Sequence, residues 1–179
     1  MAQPRVVLIG PPGAGKSTIG RRLARAMNLP LTDTDHMIEV REGATCGDVF
    51  TRLGEPRFRE IEEEVVAEAL QLPGVISLGG GAVLSEATRD LLADLDVVYL
   101  EVSVEEGVRR TAGENTRPVL RADDPAEHYR RMYEFRRPLY EEVASFKARS
   151  DSSSPQRVVA EILGYLDTAD ADDDAVRVP

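Results

Sequence analysis

Apolar residues gather in four short runs, separated by stretches with helical spacing. Val6–Ile9, Val75–Leu78 and Val97–Val102 are dense in branched aliphatic side chains, as expected of strands buried on both faces. A weaker run, Leu29-Pro30-Leu31-Thr32, leads into Asp33. Between the runs, apolar positions recur mostly at steps of three and four. Ile19, Leu23 and Met27 mark one helix face, and Phe58, Ile61, Val65 and Leu70 mark a second. Met132, Phe135, Leu139 and Val143 mark a third; Val158, Val159, Ile162, Leu163 and Leu166 mark the last. Strands alternating with helices predict parallel βαβ units. Such sheets bind ligands outside the carboxyl ends of their strands. Chemistry is therefore expected in residues 10–17, in Asp33-Thr34-Asp35 and in Gly79-Gly80-Gly81.

The first of these reads Gly10-Pro-Pro-Gly-Ala-Gly-Lys-Ser17, the G-x-x-x-x-G-K-[ST] spacing of a phosphate-binding loop. Gly13 and Gly15 permit backbone angles closed to residues with a Cβ, so successive N–H groups can converge on one anion. Gly10 and Gly15 are expected to leave room for that anion to approach. Lys16 supplies a point charge to the outer phosphates and Ser17 an oxygen for Mg²⁺. Ala14 and Thr18 complete the cradle at a helix N-terminus. The loop stands between a β-branched run and a helical face, so the chain is expected to bind a nucleoside triphosphate. Composition sharpens this, because twenty arginines stand against two lysines. One of the two, Lys16, is where a planar guanidinium would fit poorly. The other, Lys147, reads as an ordinary surface residue.

A chain of 179 residues is sized for one domain, expected here over residues 1–167. An acidic tail, 168–179, is too poor in apolar groups to be expected to order. No apolar run nears the roughly 18 residues of a membrane span. The chain runs straight into its first strand, so neither membrane attachment nor a signal peptide is expected. The single cysteine, Cys46, excludes an internal disulfide, fits a reducing cytoplasm and reads as a packing residue. A net charge of −10 argues against nucleic acid as a partner. His36 and His128 lack the partners of a zinc site. The polar stretch from Thr111 to Asp124 is long for a plain connection between two helical patterns and reads as a lid.

Asp33 and Asp35 leave two readings open. One is turn chemistry, with Thr34 or Asp35 capping a helix over 36–42. The other gives one carboxylate a Mg²⁺-bound water and the other the proton of a substrate hydroxyl. Three successive glycines cost backbone entropy where one would make a turn, which favours a flat ligand close to the backbone over a plain connector. Arg59, with Glu62 three residues on, reads in isolation as a surface pair worth roughly a few tenths of a kcal/mol. Arg117 and Arg136 read in isolation as solvated charge.

Six elements occur in order: Gly10-x-x-Gly13-x-Gly15-Lys-Ser-Thr-Ile-Gly20, Asp33-Thr-Asp35, Phe58-Arg59-x-Ile-Glu62, Leu78-Gly-Gly-Gly-Ala82, Arg117-Pro118 and Arg136-x-Pro138-Leu139-Tyr140. Through this set the chain resembles the shikimate kinases over roughly residues 5–166. The resemblance implies an α/β, three-layer P-loop fold of the nucleoside-monophosphate-kinase type, with a five-stranded parallel sheet. It also implies a mobile lid over about 111–124 and an acceptor-binding helical region over about 33–62. The implied activity is transfer of the γ-phosphate of ATP to the 3-hydroxyl of shikimate, a step towards chorismate and the aromatic amino acids, by a cytoplasmic monomer.

By matching position, Gly13, Ala14, Gly15, Lys16, Ser17 and Thr18 would hold the phosphates, with Ser17 on Mg²⁺ and Asp33 on its water shell. Asp35 would hold the attacking hydroxyl and take its proton. Arg59 and Arg136 would clamp the shikimate carboxylate, Glu62 would brace Arg59, and Gly80 and Gly81 would offer N–H groups to the ring. Arg117 would close from the lid; Arg110 and Pro155 would lie by the adenine. One position departs: Ser152-Ser153-Ser154 stands where the family often carries a basic residue, which removes a stacking or cation–π contact. The rival readings are a kinase for gluconate or a nucleotide, and a P-loop ATP-binding regulatory protein. A guanine-specific Asn-Lys-x-Asp is excluded, since the two lysines follow Gly15 and Phe146.

Overall fold

The computed structural model describes residues 3–113 and 124–176. Its centre is a parallel sheet of five strands in the order β2-β3-β1-β4-β5. β1 (Pro4–Ile9) lies between β3 (Gly74–Ser77) and β4 (Val97–Glu101). The edges are β2 (Leu31–Asp33) and β5 (Phe146–Arg149). The four apolar runs are therefore strands, as expected. In register, Asp33 and Leu8 both stand opposite Ser77. The phosphate loop, Asp33 and the glycine loop consequently leave the same edge of the sheet.

The helices are α1 (Lys16–Met27), α2 (Thr34–Glu42), α3 (Cys46–Leu53), α4 (Glu55–Ala69), α5 (Glu86–Leu92), α6 (Val104–Thr111), α7 (Pro125–Val143) and α8 (Pro155–Val176). The main core joins the sheet to α1, α7 and α8. A second cluster, Ile38, Val49, Phe58, Ile61 and Val65, holds α2, α3 and α4 to one another. Cys46 packs against this second cluster, as expected. Among the described residues, no helix is long and apolar enough to cross a membrane.

Three features differ from the sequence pattern. β5 had no apolar run to announce it, because in Phe146-Lys147-Ala148-Arg149 only Ala148 is buried. An edge strand needs no continuous apolar stretch. The face of α7 is turned from the expected one. Tyr129, Tyr133, Arg136 and Tyr140 are buried, whereas Phe135 is 71% exposed. Buried tyrosines whose hydroxyls find partners pack like core residues, and a hydropathy reading undervalues them. The acidic tail, expected to lack order from residue 168, continues α8 to Val176. Local polar contacts support it: Arg5 reaches Asp170 at 2.8 Å and the Leu166 carbonyl at 3.3 Å.

Candidate active site

The phosphate loop turns from β1 into α1 through two glycines in the left-handed region, Gly13 at φ 80° and Gly15 at φ 90°. A Cβ on Gly15 would meet nothing nearer than Arg110 Nη1 at 3.8 Å, which is the space expected for an anion. Gly10 has a different reason. A Cβ there would lie 2.6 Å from the Leu100 carbonyl oxygen, so its bareness lets the loop pass β4 rather than admitting a ligand. Ala14 is fully buried and offers the site only its backbone. Lys16 Nζ donates to the carbonyls of Gly10 at 2.6 Å and Pro11 at 2.9 Å. Gly13, Lys16, Ser17, Thr18, Asp33 and Asp35 surround one cleft of about 180 Å³.

Arg110, on α6, donates to the Gly13 carbonyl at 3.1 Å and the Ser150 carbonyl at 3.2 Å. It thereby ties the phosphate loop to the segment that leads into Pro155, the first residue of α8. Thr18 also borders a second cleft, about 280 Å³, formed with Arg21, Arg22 and Arg25 along α1. Among the described residues, none of these three arginines has a carboxylate within ion-pair distance.

Asp33, rather than Thr34 or Asp35, caps α2. Its Oδ1 accepts from the N–H groups of Asp35 at 2.9 Å and His36 at 3.3 Å. It caps and still faces the phosphate cleft, so turn chemistry and site chemistry share one residue. Burial holds the Asp33 carboxyl above its ordinary range, the charge of Asp35 adds to this, and Lys16 opposes it. Two carboxylates and the Ser17 hydroxyl around one cleft are hard oxygen donors. They suit Mg²⁺, which takes one or two carboxylates beside phosphate oxygens. Thr34 is buried, and its Oγ1 accepts from the Gly79 N–H at 3.0 Å, joining the carboxylate pair to the glycine loop. The Cys46 thiol donates to the Asp35 carbonyl at 3.4 Å.

The glycine loop forms the facing wall. A Cβ on Gly79 would lie 2.5 Å from Asp35 Oδ1, and one on Gly80 would lie 3.0 Å from Pro12 Cδ. On Gly81 it would run into the Arg59 guanidinium. The close approach expected at this loop is made by the protein's own side chains.

Arg59 donates to Glu62 Oε1 at 2.7 Å, and the Glu62 side chain is only 4% exposed. In place of the surface pair expected from spacing alone, this is an ion pair sunk in the wall. Burial raises the Glu62 carboxyl, with Arg59 pulling the other way. Arg136 is also buried, at 7% exposure, where solvated charge had been expected in isolation. Among the described residues, no carboxylate stands within ion-pair distance of it. A buried guanidinium is costly without an anion to complete it.

Arg117 lies outside the described residues, as does most of the expected lid. The buried tyrosines of α7 belong to the site's surroundings and were missed by sequence reasoning. Their signal was the spacing of Tyr129, Tyr133, Arg136 and Tyr140, one helical face of polar-tipped residues.

The family model described as Shikimate kinase matches residues 12–167. A shikimate kinase of Corynebacterium efficiens is 66% identical over 167 residues, covering 93% of this chain and 99% of that protein. The structure is similar to that of the shikimate kinase from Acinetobacter baumannii in complex with shikimate, with a TM-score of 0.88 and 33% identity. That match covers 94% of this chain and 95% of the other. A gluconokinase from Sinorhizobium meliloti, 20% identical with a TM-score of 0.59 over 97% of each chain, shares the fold.

Proposed function

The chain belongs to the shikimate kinase family, and from that membership we propose how its own residues carry the reaction. It moves the γ-phosphate of ATP to the 3-hydroxyl of shikimate, giving shikimate 3-phosphate and ADP. The observation that carries the choice of acceptor is Arg136, a buried cation with no carboxylate within ion-pair distance among the described residues, which feels the Glu62 charge only from further off. An acceptor bearing a carboxylate completes that charge; gluconate also bears one, but its flexible chain gains less from a fixed wall.

The donor phosphates lie along the N–H groups of residues 13–18, with Lys16 moving from its loop carbonyls onto the outer phosphates. Mg²⁺, when bound by Ser17 and through water by Asp33, supplies positive charge to the phosphate oxygens. Asp35 orients the acceptor hydroxyl and accepts its proton; it stands against Gly79, between the phosphate cleft and the acceptor wall. Arg59 and Arg136 fork the carboxylate, a geometry that guanidinium groups favour. Glu62 keeps Arg59 in place, and Gly80 and Gly81 present backbone to the ring. Arg110 and Pro155 lie on the adenine side. By resemblance, Arg117 closes on the transferring phosphoryl group. Phosphoryl transfer asks chiefly for such positioning and charge stabilisation. We place the enzyme in the cytoplasm and take it to act as a monomer.

The test is ADP release with a panel of acceptors: shikimate, quinate, gluconate and nucleoside monophosphates. Turnover with shikimate far above the rest is expected. Faster turnover with gluconate or a nucleotide would move the chain to another acceptor, and no turnover with any would support the regulatory reading.

A further inference from the structure

Two hydroxyls on one helix hold the two loops that face each other across the site. On α7, Tyr129 donates to the Pro12 carbonyl at 2.7 Å and Tyr140 donates to the Gly80 carbonyl at 2.5 Å. Pro12 belongs to the phosphate loop and Gly80 to the acceptor wall. Eleven residues on a helix separate the two Cα atoms by about 16 Å. The two hydroxyls nevertheless meet loops that touch each other, where Gly80 comes against Pro12.

The hydroxyls do more than packing requires. Both rings are fully buried, so phenylalanine would fill the same volume. Tyr133, between them on the same face, uses its hydroxyl elsewhere: it pairs with the Tyr99 hydroxyl at 2.6 Å and accepts from the Val102 N–H. The rings form one unit, with Tyr133 edge-on to both Tyr129 and Tyr140, and Tyr140 stacked on Tyr99. Gly107 on α6 leaves space for the Tyr129 hydroxyl, since a Cβ there would collide with it.

Elementary peptide geometry gives these bonds a consequence. In a trans peptide unit, the carbonyl and the following N–H point in opposite directions. Fixing the Pro12 carbonyl on Tyr129 turns the Gly13 N–H away from α7. Fixing the Gly80 carbonyl on Tyr140 does the same for the Gly81 N–H. Gly13 has left-handed angles and nothing intrinsic to hold its peptide plane.

We propose that Tyr129 and Tyr140 are positioning residues, one for each substrate. Tyr129 orients the Gly13 N–H for the nucleotide phosphates, and Tyr140 orients the Gly81 N–H for the acceptor. The inference deepens the kinase reading above and rests on it for the acceptor's identity. α7 thereby sets the attitude of both loops from a single rigid element.

Phenylalanine substitutions keep the rings and remove only the hydroxyls. Tyr129→Phe is expected to raise the KM for ATP about three- to tenfold and leave that for shikimate within about twofold, the range of one lost hydrogen bond. Tyr140→Phe is expected to do the reverse. Because the Tyr140 hydroxyl also meets the Arg136 guanidinium, the acceptor effect is expected to persist on a shikimate analogue lacking the carboxylate. Its disappearance there would assign it to Arg136 and overturn the Tyr140 assignment. Tyr133→Phe, which frees neither loop, is expected to lower the melting temperature without separating the two KM values. Binding of ADP and of shikimate to each variant, measured by calorimetry, should repeat the pattern. Equal changes in both KM values for Tyr129→Phe and Tyr140→Phe, or the same split in Tyr133→Phe, would overturn the proposal. If the parent does not turn over shikimate, the acceptor reading falls. Unchanged ADP affinity in Tyr129→Phe would then still defeat the Tyr129 assignment independently.

Discussion

The nucleotide side of the site and the acceptor side are built on opposite plans. The nucleotide side is largely backbone, a loop bent through left-handed glycines with one ammonium laid over it, and its Ser17 and Thr18 are exposed. The acceptor side is made of buried charge, Glu62 at 4% and Arg136 at 7% exposure. Loop N–H groups accept any polyphosphate of the right shape, so they give affinity with little choice. Buried guanidinium groups leave a carboxylate few geometries and penalise a ligand without one, because a charge then stays unpaired. On the proposed reading, reaction type resides in the loop and substrate choice in the buried wall.

The sharpest way to break this division is at the residue between the two sides. Asp35→Asn keeps the shape and removes the charge. Turnover should fall by about 10² or more, the usual cost of losing a general base. ATP affinity should stay within about threefold, because the phosphate loop is untouched. Retention of more than about a tenth of parental kcat would show that Asp35 neither accepts the proton nor orients the hydroxyl.

Next comes Arg136→Ala. A charged contact in a buried site is worth about 1.5–3 kcal/mol, so the KM for shikimate should rise at least about tenfold. The KM for ATP should hold steady, and steady-state kinetics with each substrate varied in turn would reveal any spread to the nucleotide side.

Glu62→Gln separates bracing from burial. Slackening Arg59 should raise the acceptor KM several-fold, by about the strength of one charged hydrogen bond. Its stability effect has a definite sign. The Glu62 carboxyl is raised in the folded state from an ordinary 4.5. It therefore favours the folded protein fully below that value and loses the contribution as pH climbs through the folded pKa. Denaturant midpoints from about pH 4 to pH 8 should drift in favour of the glutamine variant as pH rises. The opposite drift would mean that the ion pair with Arg59 outweighs burial.

Two smaller effects concern charge at a distance. Replacing Arg21, Arg22 and Arg25 together with glutamine removes the positive stripe beside Thr18, which meets no carboxylate at ion-pair distance among the described residues. ATP association should slow about threefold at low salt and recover towards parental at physiological salt, where screening acts over about 8 Å. Stopped-flow association across ionic strength would measure it, and an effect independent of salt would mean direct contact. Ending the chain at Leu166 removes the last turns of α8 and the exposed Arg5–Asp170 pair. It should leave kcat/KM for both substrates within about threefold, since such pairs contribute little. A tenfold change would show that this end of α8 supports the site.

The same contrast explains what could be read from the sequence. Backbone sites leave motifs, because glycines at fixed offsets and one lysine are needed wherever the chain goes next, so Gly13, Gly15 and Lys16 were legible. The three inner strands were legible because burial on both faces demands unbroken apolar runs, and the edge strand β2 was marked only by the weaker run ahead of Asp33. Arg59, Glu62 and Arg136 were not legible from residues alone. Their meaning depends on burial, which spacing cannot report, and only resemblance to a family marked them. Three tyrosines turned α7 by a residue from its expected face, for hydropathy does not register a hydroxyl with a partner. Gly10 and Asp33 were seen but partly misassigned, because crowding against β4 and capping of α2 exist only in the folded chain.

The central claim is that a buried guanidinium reads the acceptor's carboxylate. It is tested most directly by a cycle that changes both partners at once. The parent enzyme and Arg136→Ala would each be assayed for kcat/KM on shikimate and on an analogue lacking the carboxylate. The variant is expected to lose at least about tenfold on shikimate and little or nothing on the analogue, because the contact it deletes is already absent there. An equal loss on both compounds would contradict the account, placing Arg136 in the scaffold of the site rather than in contact with its substrate.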